Sequence, residues 1–245
     1  MYKRNRIYIS DEQQAQIKET RILIAGAGLG SSIAECALRL GFEHLTICDF
    51  DQVEHSNLNR QNYTNAQIGE LKSKAIHERL SAINPQANIQ CHNVFLSPDN
   101  FDIYLQDCDI AINTIDFTSD SPFAFDDKCL QYNIPILHPF NMGWAGCIFV
   151  VTKDSMRISE MVTDYQQAEL ILVDHVIKEQ SKKQNVSWLR EVLTAYGKEE
   201  RTLPPPQLAP ASSYNAGACA SLIYQIVTKQ PVKHFPDYYF LSTIQ

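Results

Sequence analysis

The chain has 245 residues, 44% of them hydrophobic and 20% charged, with a formal net charge of −7. That balance suits a water-facing globular chain and gives no overall basic face for neutralising phosphates, so broad nucleic-acid binding is disfavoured, although a tRNA is not excluded. No stretch reaches the roughly 18 apolar residues of a membrane span, and Met1-Tyr2-Lys3-Arg4-Asn5-Arg6 lacks the apolar run of a secretory signal; a cytoplasmic location is the expectation.

Residues 21–25 form a short apolar run closed by Gly26, which reads as a buried parallel strand. Residues 31–40 carry apolar side chains at helical spacing and end at Gly41, and 44–48 read as a second strand; together they make one βαβ unit. The alternation continues with a helix over 71–83, a strand over 88–95, a short helix over 101–106 and a strand over 109–115. A helix over 126–132 and strands over 134–137 and 147–151 follow, which implies a Rossmann-like α/β fold, mostly parallel, with helices on both faces.

Beyond Val151 the chain becomes polar and helical, with amphipathic stretches at 168–178 and 186–196, stopped by Thr202-Leu203-Pro204-Pro205-Pro206. A small-residue-rich helix over 216–227 closes the pattern. The expected organisation is a single domain: an N-terminal arm (1–20), a nucleotide-binding core (21–151), a helical insertion or crossover after the fifth or sixth strand (152–208), and a C-terminal helix and tail (209–245).

Seven cysteines are present, at Cys36, Cys48, Cys91, Cys108, Cys129, Cys147 and Cys219, with no Cys-x-x-Cys pair. They read as small buried hydrophobes in a reducing compartment, and no zinc is expected.

Gly26-Ala27-Gly28-Leu29-Gly30-Ser31 lies between the first strand and the first helix, where glycines let backbone approach a phosphate at a helix N-terminus. Asp49, 21 residues after Gly28 at the end of the second strand, is placed to accept hydrogen bonds from a ribose diol. NAD and ATP both carry that diol. The stretch from Asp51 favours ATP, because Asn57-x-x-Arg60 and Lys72 offer the fixed cations that adenylyl transfer needs when charge spreads over a leaving pyrophosphate.

Asp49-Phe50-Asp51-Gln52-Val53, Ser56-Asn57-Leu58-Asn59-Arg60-Gln61, Ile68-Gly69-Glu70-Leu71-Lys72 and Ile83-Asn84-Pro85 together resemble the ThiF/MoeB/HesA family, relatives of ubiquitin-activating enzymes. The likeness spans roughly residues 4–151 and resumes near 209–229. The resemblance implies an ATP-dependent adenylyltransferase in which Asp49 binds the ribose, Asn57, Arg60 and Lys72 hold the phosphates, and Asp116 helps to hold Mg²⁺. Gly26, Gly28, Gly30, Ser31 and Asp51 complete the expected nucleotide site. It further implies a homodimer in which Arg6 reaches the γ-phosphate in the neighbouring subunit, and a small ubiquitin-like or sulfur-carrier protein as acceptor.

The chain also departs from that family. Its glycine loop is one residue shorter, the paired zinc-binding cysteines are missing, and no cysteine lies between Cys147 and Cys219, which disfavours a covalent thiol step. Phe117 follows Asp116 where a polar residue is more usual, which is expected to put an aromatic ring near the phosphates. Residues 155–200 match nothing and are expected either to cover the pocket, form a partner groove, or present plain solvated surface. The competing functions are the same chemistry on a tRNA base or small-molecule carboxylate, a NAD-dependent oxidoreductase, and a non-catalytic dimeric subunit.

Overall fold

The computed structural model describes residues 1–199 and 203–244; Thr202, part of the expected proline stop, lies outside the described residues. Seven strands form one sheet in the order β3-β2-β1-β4-β5-β6-β7: β1 (Arg21–Ala25), β2 (His44–Cys48), β3 (Asn88–His92), β4 (Ile110–Asn113), β5 (Ile136–Asn141), β6 (Ala145–Val151) and β7 (Tyr239–Ser242). The first five run parallel, and β6 and β7 are antiparallel. Strand order reverses between β1 and β4, so a crevice opens at their carboxyl ends, where open α/β sheets bind ligands.

Side chains alternate across the pleat. Ile22 and Ile24 enter one apolar layer, and Leu23 and Ala25 enter the other. The first layer is covered by α2 (Leu29–Leu40), α3 (Lys72–Ile83) and α9 (Ala209–Val227). The second is covered by α4 (Phe101–Leu105), α5 (Ser121–Gln131), α7 (Ala168–Gln180) and α8 (Ser187–Tyr196). The Rossmann-like expectation holds, with the helical insertion after the sixth strand: α6 (Ile158–Met161), α7 and α8 all lie between β6 and α9.

Several boundaries differ from the sequence reading. The arm contains a helix, α1 (Asp11–Glu19), started by a capping box between Ser10 and Gln13; its apolar content is too low to show a period, yet Ile17 is fully buried. Helix α5 begins at Ser121, with proline in its first turn, ahead of the expected 126. Strand β5 runs through Pro139 to Asn141, past the expected end at 137, because β4 pairs only Ile136 and Leu137 and the remainder is held by β6. Helix α9 starts seven residues before the expected 216, and β7, absent from the sequence reading, joins the edge of β6. Among the described residues no helix is long and apolar enough to cross a membrane.

Candidate active site

The turn after β1 is shaped by what surrounds it. Gly26 has φ +101°, and a Cβ there would stand 2.5 Å from Thr114 Oγ1 and 2.9 Å from the Thr114 carbonyl oxygen. Gly28 is the N-cap of α2 and supplies no side-chain cap, so the first-turn N–H groups of the helix keep their pull on an anion. Gly30 lies inside that turn, where a Cβ would meet Ile24 at 2.6 Å, so its bareness serves helix–strand packing. Ser31 is fully buried; its hydroxyl donates to the Gly28 carbonyl at 2.7 Å and accepts the Asn62 N–H at 3.1 Å. The one-residue-shorter loop is thus met by a helix that starts directly after Gly28.

Asp49 is buried at the end of β2. Its Oδ2 accepts the Ala27 N–H at 2.6 Å and its Oδ1 accepts the Asp51 N–H at 2.8 Å, leaving one lone pair on each oxygen for further donors. Burial raises its carboxyl above the ordinary value, opposed by the charge of Lys72 and the two backbone donors. Lys72 comes to the same place because residues 51–53 and 69–72 pair as a small ladder: Val53 N–H to Glu70, Gly69 N–H to Val53, and Lys72 N–H to Asp51. Its buried ammonium then meets Asp51 Oδ2 at 2.8 Å.

The segment from Asn57 to Tyr63 lies over the first turns of α2. Tyr63 donates to the Ala27 carbonyl at 2.8 Å, and Asn62 bonds Ser31, Ser32 and Glu35. Asn57 caps its own 3-10 turn, its Oδ1 accepting the Glu54 N–H at 2.9 Å. Arg60 is half-buried; desolvation lowers its guanidinium below the ordinary value while the charge of Asp116 pulls it up.

Asp116 follows β4 on a loop held from behind. The Asn113 amide donates to Asp126 Oδ1 at 2.9 Å and to the Pro122 carbonyl at 3.0 Å, and its oxygen accepts the Ile115 N–H at 3.1 Å. His138 Nε2 lies 3.0 Å from the same Asp126 oxygen, and all three side chains are buried. Asp116 itself is exposed. The surrounding protein raises its carboxyl, Asp51 adds to the rise, and Lys72 and Arg60 oppose it. Phe117 joins an aromatic cluster with Phe123 (5.6 Å between ring centres) and Phe140 (6.2 Å). On the far side of the loop Glu169 of α7, hydrogen-bonded by Tyr196 of α8 at 3.1 Å, feels the charge of Asp116, so the insertion flanks this side of the site.

The structure therefore groups Gly26, Gly28, Asp49, Asp51, Arg60, Lys72 and Asp116 at one crevice, with Asn57 on the adjoining turn. Arg6 is not there. It is exposed and donates to the Lys3 carbonyl, in an arm that is tied to Leu38 and Leu40 at the opposite end of α2. All seven cysteines are free, and burial pushes every thiol above its ordinary value, Cys48, Cys91 and Cys108 to about 12. Among the described residues no group of three or more His, Cys, Asp or Glu is arranged to hold a metal.

Two site residues escaped the sequence reading. Gln61 presents its amide nitrogen 3.2 Å from where a Gly28 Cβ would be, and its buried Oε1 has no hydrogen-bond partner among the described residues. It stands inside the quoted Arg60-Gln61 motif, which was the available signal. Gln207 accepts from Arg60 Nε at 2.5 Å across 147 positions of chain, a pairing that no local pattern announces.

The ThiF family model matches residues 2–244, and the chain belongs to the ThiF family. It is 32% identical over 145 residues to a probable molybdopterin-synthase adenylyltransferase of Gracilaria tenuistipitata var. liui, covering 58% of this chain and 40% of that protein. It is 30% identical over 160 residues to the sulfur carrier protein ThiS adenylyltransferase of Bacillus subtilis, covering 63% and 47%. The chain thus spans less than half the length of these relatives. The crystal structure of E. coli tRNA N6-threonylcarbamoyladenosine dehydratase, TcdA, superposes with a TM-score of 0.65 at 20% identity, covering 92% of each chain, a likeness of fold.

Proposed function

We propose that the chain binds ATP at the carboxyl ends of β1 and β4 and transfers its adenylyl group to a carboxylate. One observation carries this reading: the buried Lys72 ammonium, held 2.8 Å from Asp51, and the half-buried Arg60 both bear on the Asp116 carboxylate beside a helix N-terminus that has no side-chain cap. The groups suit ATP, since the crevice offers a backbone cradle that a Cβ at Gly28 would narrow and an orphaned amide oxygen on Gln61.

In the reaction an acceptor carboxylate oxygen bonds to the α-phosphorus, the bond from that phosphorus to the bridging oxygen breaks, and pyrophosphate leaves with the electron pair. Asp49 accepts from the ribose hydroxyls. The α2 N-terminus and Lys72 take the charge at the α-phosphate, and Arg60 takes the charge growing on pyrophosphate. Asp116 would supply one carboxylate for Mg²⁺, an ion that commonly uses one or two carboxylates plus substrate phosphates and would neutralise phosphate charge there. A three-ligand protein cage is not needed for that.

The whole chain then acts as one adenylation unit, with 21–151 carrying the nucleotide and 152–208 flanking it. Arg6, being remote from its own site, serves the site of a second copy. The acceptor in this reading is the C-terminus of a small ubiquitin-like or sulfur-carrier protein, as the name of the ThiS adenylyltransferase suggests. No cysteine step belongs to this reading, since no cysteine lies between Cys147 and Cys219 and burial raises the thiols that are present. Adenylylation of a carboxylate carried by a modified tRNA base or a small molecule is the second reading; the tRNA version is favoured by the likeness to a tRNA threonylcarbamoyladenosine dehydratase and opposed by the net charge of −7.

ATP–pyrophosphate exchange, with and without candidate carrier proteins, tests this. Exchange stimulated by a carrier is expected. Tighter binding of NADH than of ATP in calorimetry would overturn it.

A further inference from the structure

A guanidinium has five N–H donors in one plane. Arg60 commits its Nε to Gln207 Oε1 at 2.5 Å, and its Nη1 to the Ser56 carbonyl at 2.9 Å and Asn59 Oδ1 at 2.8 Å. Nη2 has no acceptor among the described residues. Ser56 and Asn59 belong to Arg60's own turn, so among the described residues only Gln207 hydrogen-bonds the guanidinium to a distant part of the fold.

Gln207 is itself anchored. Its carbonyl accepts from Asn59 Nδ2 at 3.2 Å. The next residue, Leu208, donates its N–H to Asn141 Oδ1 at 3.2 Å and accepts from Asn141 Nδ2 at 2.9 Å, a reciprocal pair at the carboxyl end of β5. Asn141 is held in turn by Ser212 and by the Gly143 N–H. On the other side Pro204, Pro205 and Pro206 restrict the approach, each with φ fixed by its ring.

We propose that Gln207 is a positioning residue for nucleotide binding: it clamps the Nε edge of Arg60 and leaves Nη2 to face the polyphosphate of ATP. The inference rests on the ATP reading above and deepens it. Arginine is long and rotamer-rich, so a guanidinium already held in place gives up less freedom when it meets a phosphate and needs no reorganisation as charge develops. A neutral amide is the right partner. It accepts from Nε without cancelling the positive charge, as a carboxylate would.

The test uses the full chain in two arms. In the first, the Nε–H signal of Arg60, assigned by its loss in Arg60→Lys, is followed by NMR without nucleotide. A sharp, slowly exchanging signal that collapses in Gln207→Ala is expected; a signal indifferent to the substitution overturns the clamp. In the second arm ATP affinity is measured by calorimetry in a double-mutant cycle. Gln207→Ala is expected to weaken ATP about fivefold beside Arg60, and to change nothing in the Arg60→Lys background, where charge persists but the fork is gone. Equal weakening in both backgrounds would mean that Gln207 acts through its own segment, 204–208, and not through Arg60, which overturns the inference. ATP binding untouched by Gln207→Ala also sinks it while leaving the ATP reading intact. Failure of the unsubstituted chain to bind ATP at all sinks both.

Discussion

Lys72 and Asp51 are joined twice: their side chains meet at 2.8 Å, and the Lys72 N–H donates to the Asp51 carbonyl at 2.9 Å. The ammonium is buried while the carboxylate is half exposed, so the cation is held at the crevice by a partner that water can reach.

Lys72→Met keeps the apolar stem and removes the charge. With Asp51 free to solvate, stability should change by less than about 1 kcal/mol. ATP affinity should fall roughly tenfold or more, the scale of a lost charge-assisted hydrogen bond. Calorimetry alongside thermal melting separates the two, and unchanged ATP affinity would remove Lys72 from the site.

The two loop glycines predict opposite phenotypes. Gly26→Ala forces a side chain onto Thr114 at a positive φ and should cost about 1–3 kcal/mol of stability. Gly28→Ala meets only the movable end of Gln61, so its cost should stay below about 1 kcal/mol while the new methyl group narrows the cradle. A Gly28→Ala protein that melts almost normally but binds ATP weakly is the expected result. Full ATP binding by that variant would place the phosphates elsewhere.

Asp49 carries a pH signature. Its folded-state carboxyl lies above the ordinary 3.8, so the fold disfavours the ionised form. The resulting cost in stability is absent below 3.8, grows as pH rises through the raised value, and is complete above it. The ribose needs the ionised acceptor, so ATP affinity should decline on acidification at a pH above that of an ordinary aspartate. Calorimetry across the acid range checks this; affinity that stays flat down to the ordinary value would contradict the role.

Arg6 acts only in a second copy on this reading. Arg6→Ala and Lys72→Met should each lose exchange activity when pure. Mixed subunits should regain part of it, because one site in each mixed dimer has both residues. Mixtures as inactive as their components would refute the shared site.

Much of the centre of the fold was legible from local signals. The apolar run at 21–25, the glycine turn and Asp49 needed only nearest neighbours, and the structure groups Asp49, Lys72 and Arg60 as their motif spacing suggested. The packing of Phe117 was not legible, since it rests on Phe140, a residue on another strand. Strand β7 escaped because its pattern makes sense only beside β6. The Asn113–Asp126–His138 network behind the Asp116 loop escaped for the same reason, its members coming from β4, α5 and β5.

Composition and hydrophobic pattern were enough to determine the α/β class and the glycine turn between β1 and α2, because backbone preference and hydrophobic period act over a few residues. Tertiary structure alone decided that Gln207 pairs with Arg60 and that Arg6 stands at the wrong end of α2 for its own site. Those outcomes depend on burial and on contacts between distant segments, which exist only once the sheet has brought its strands together.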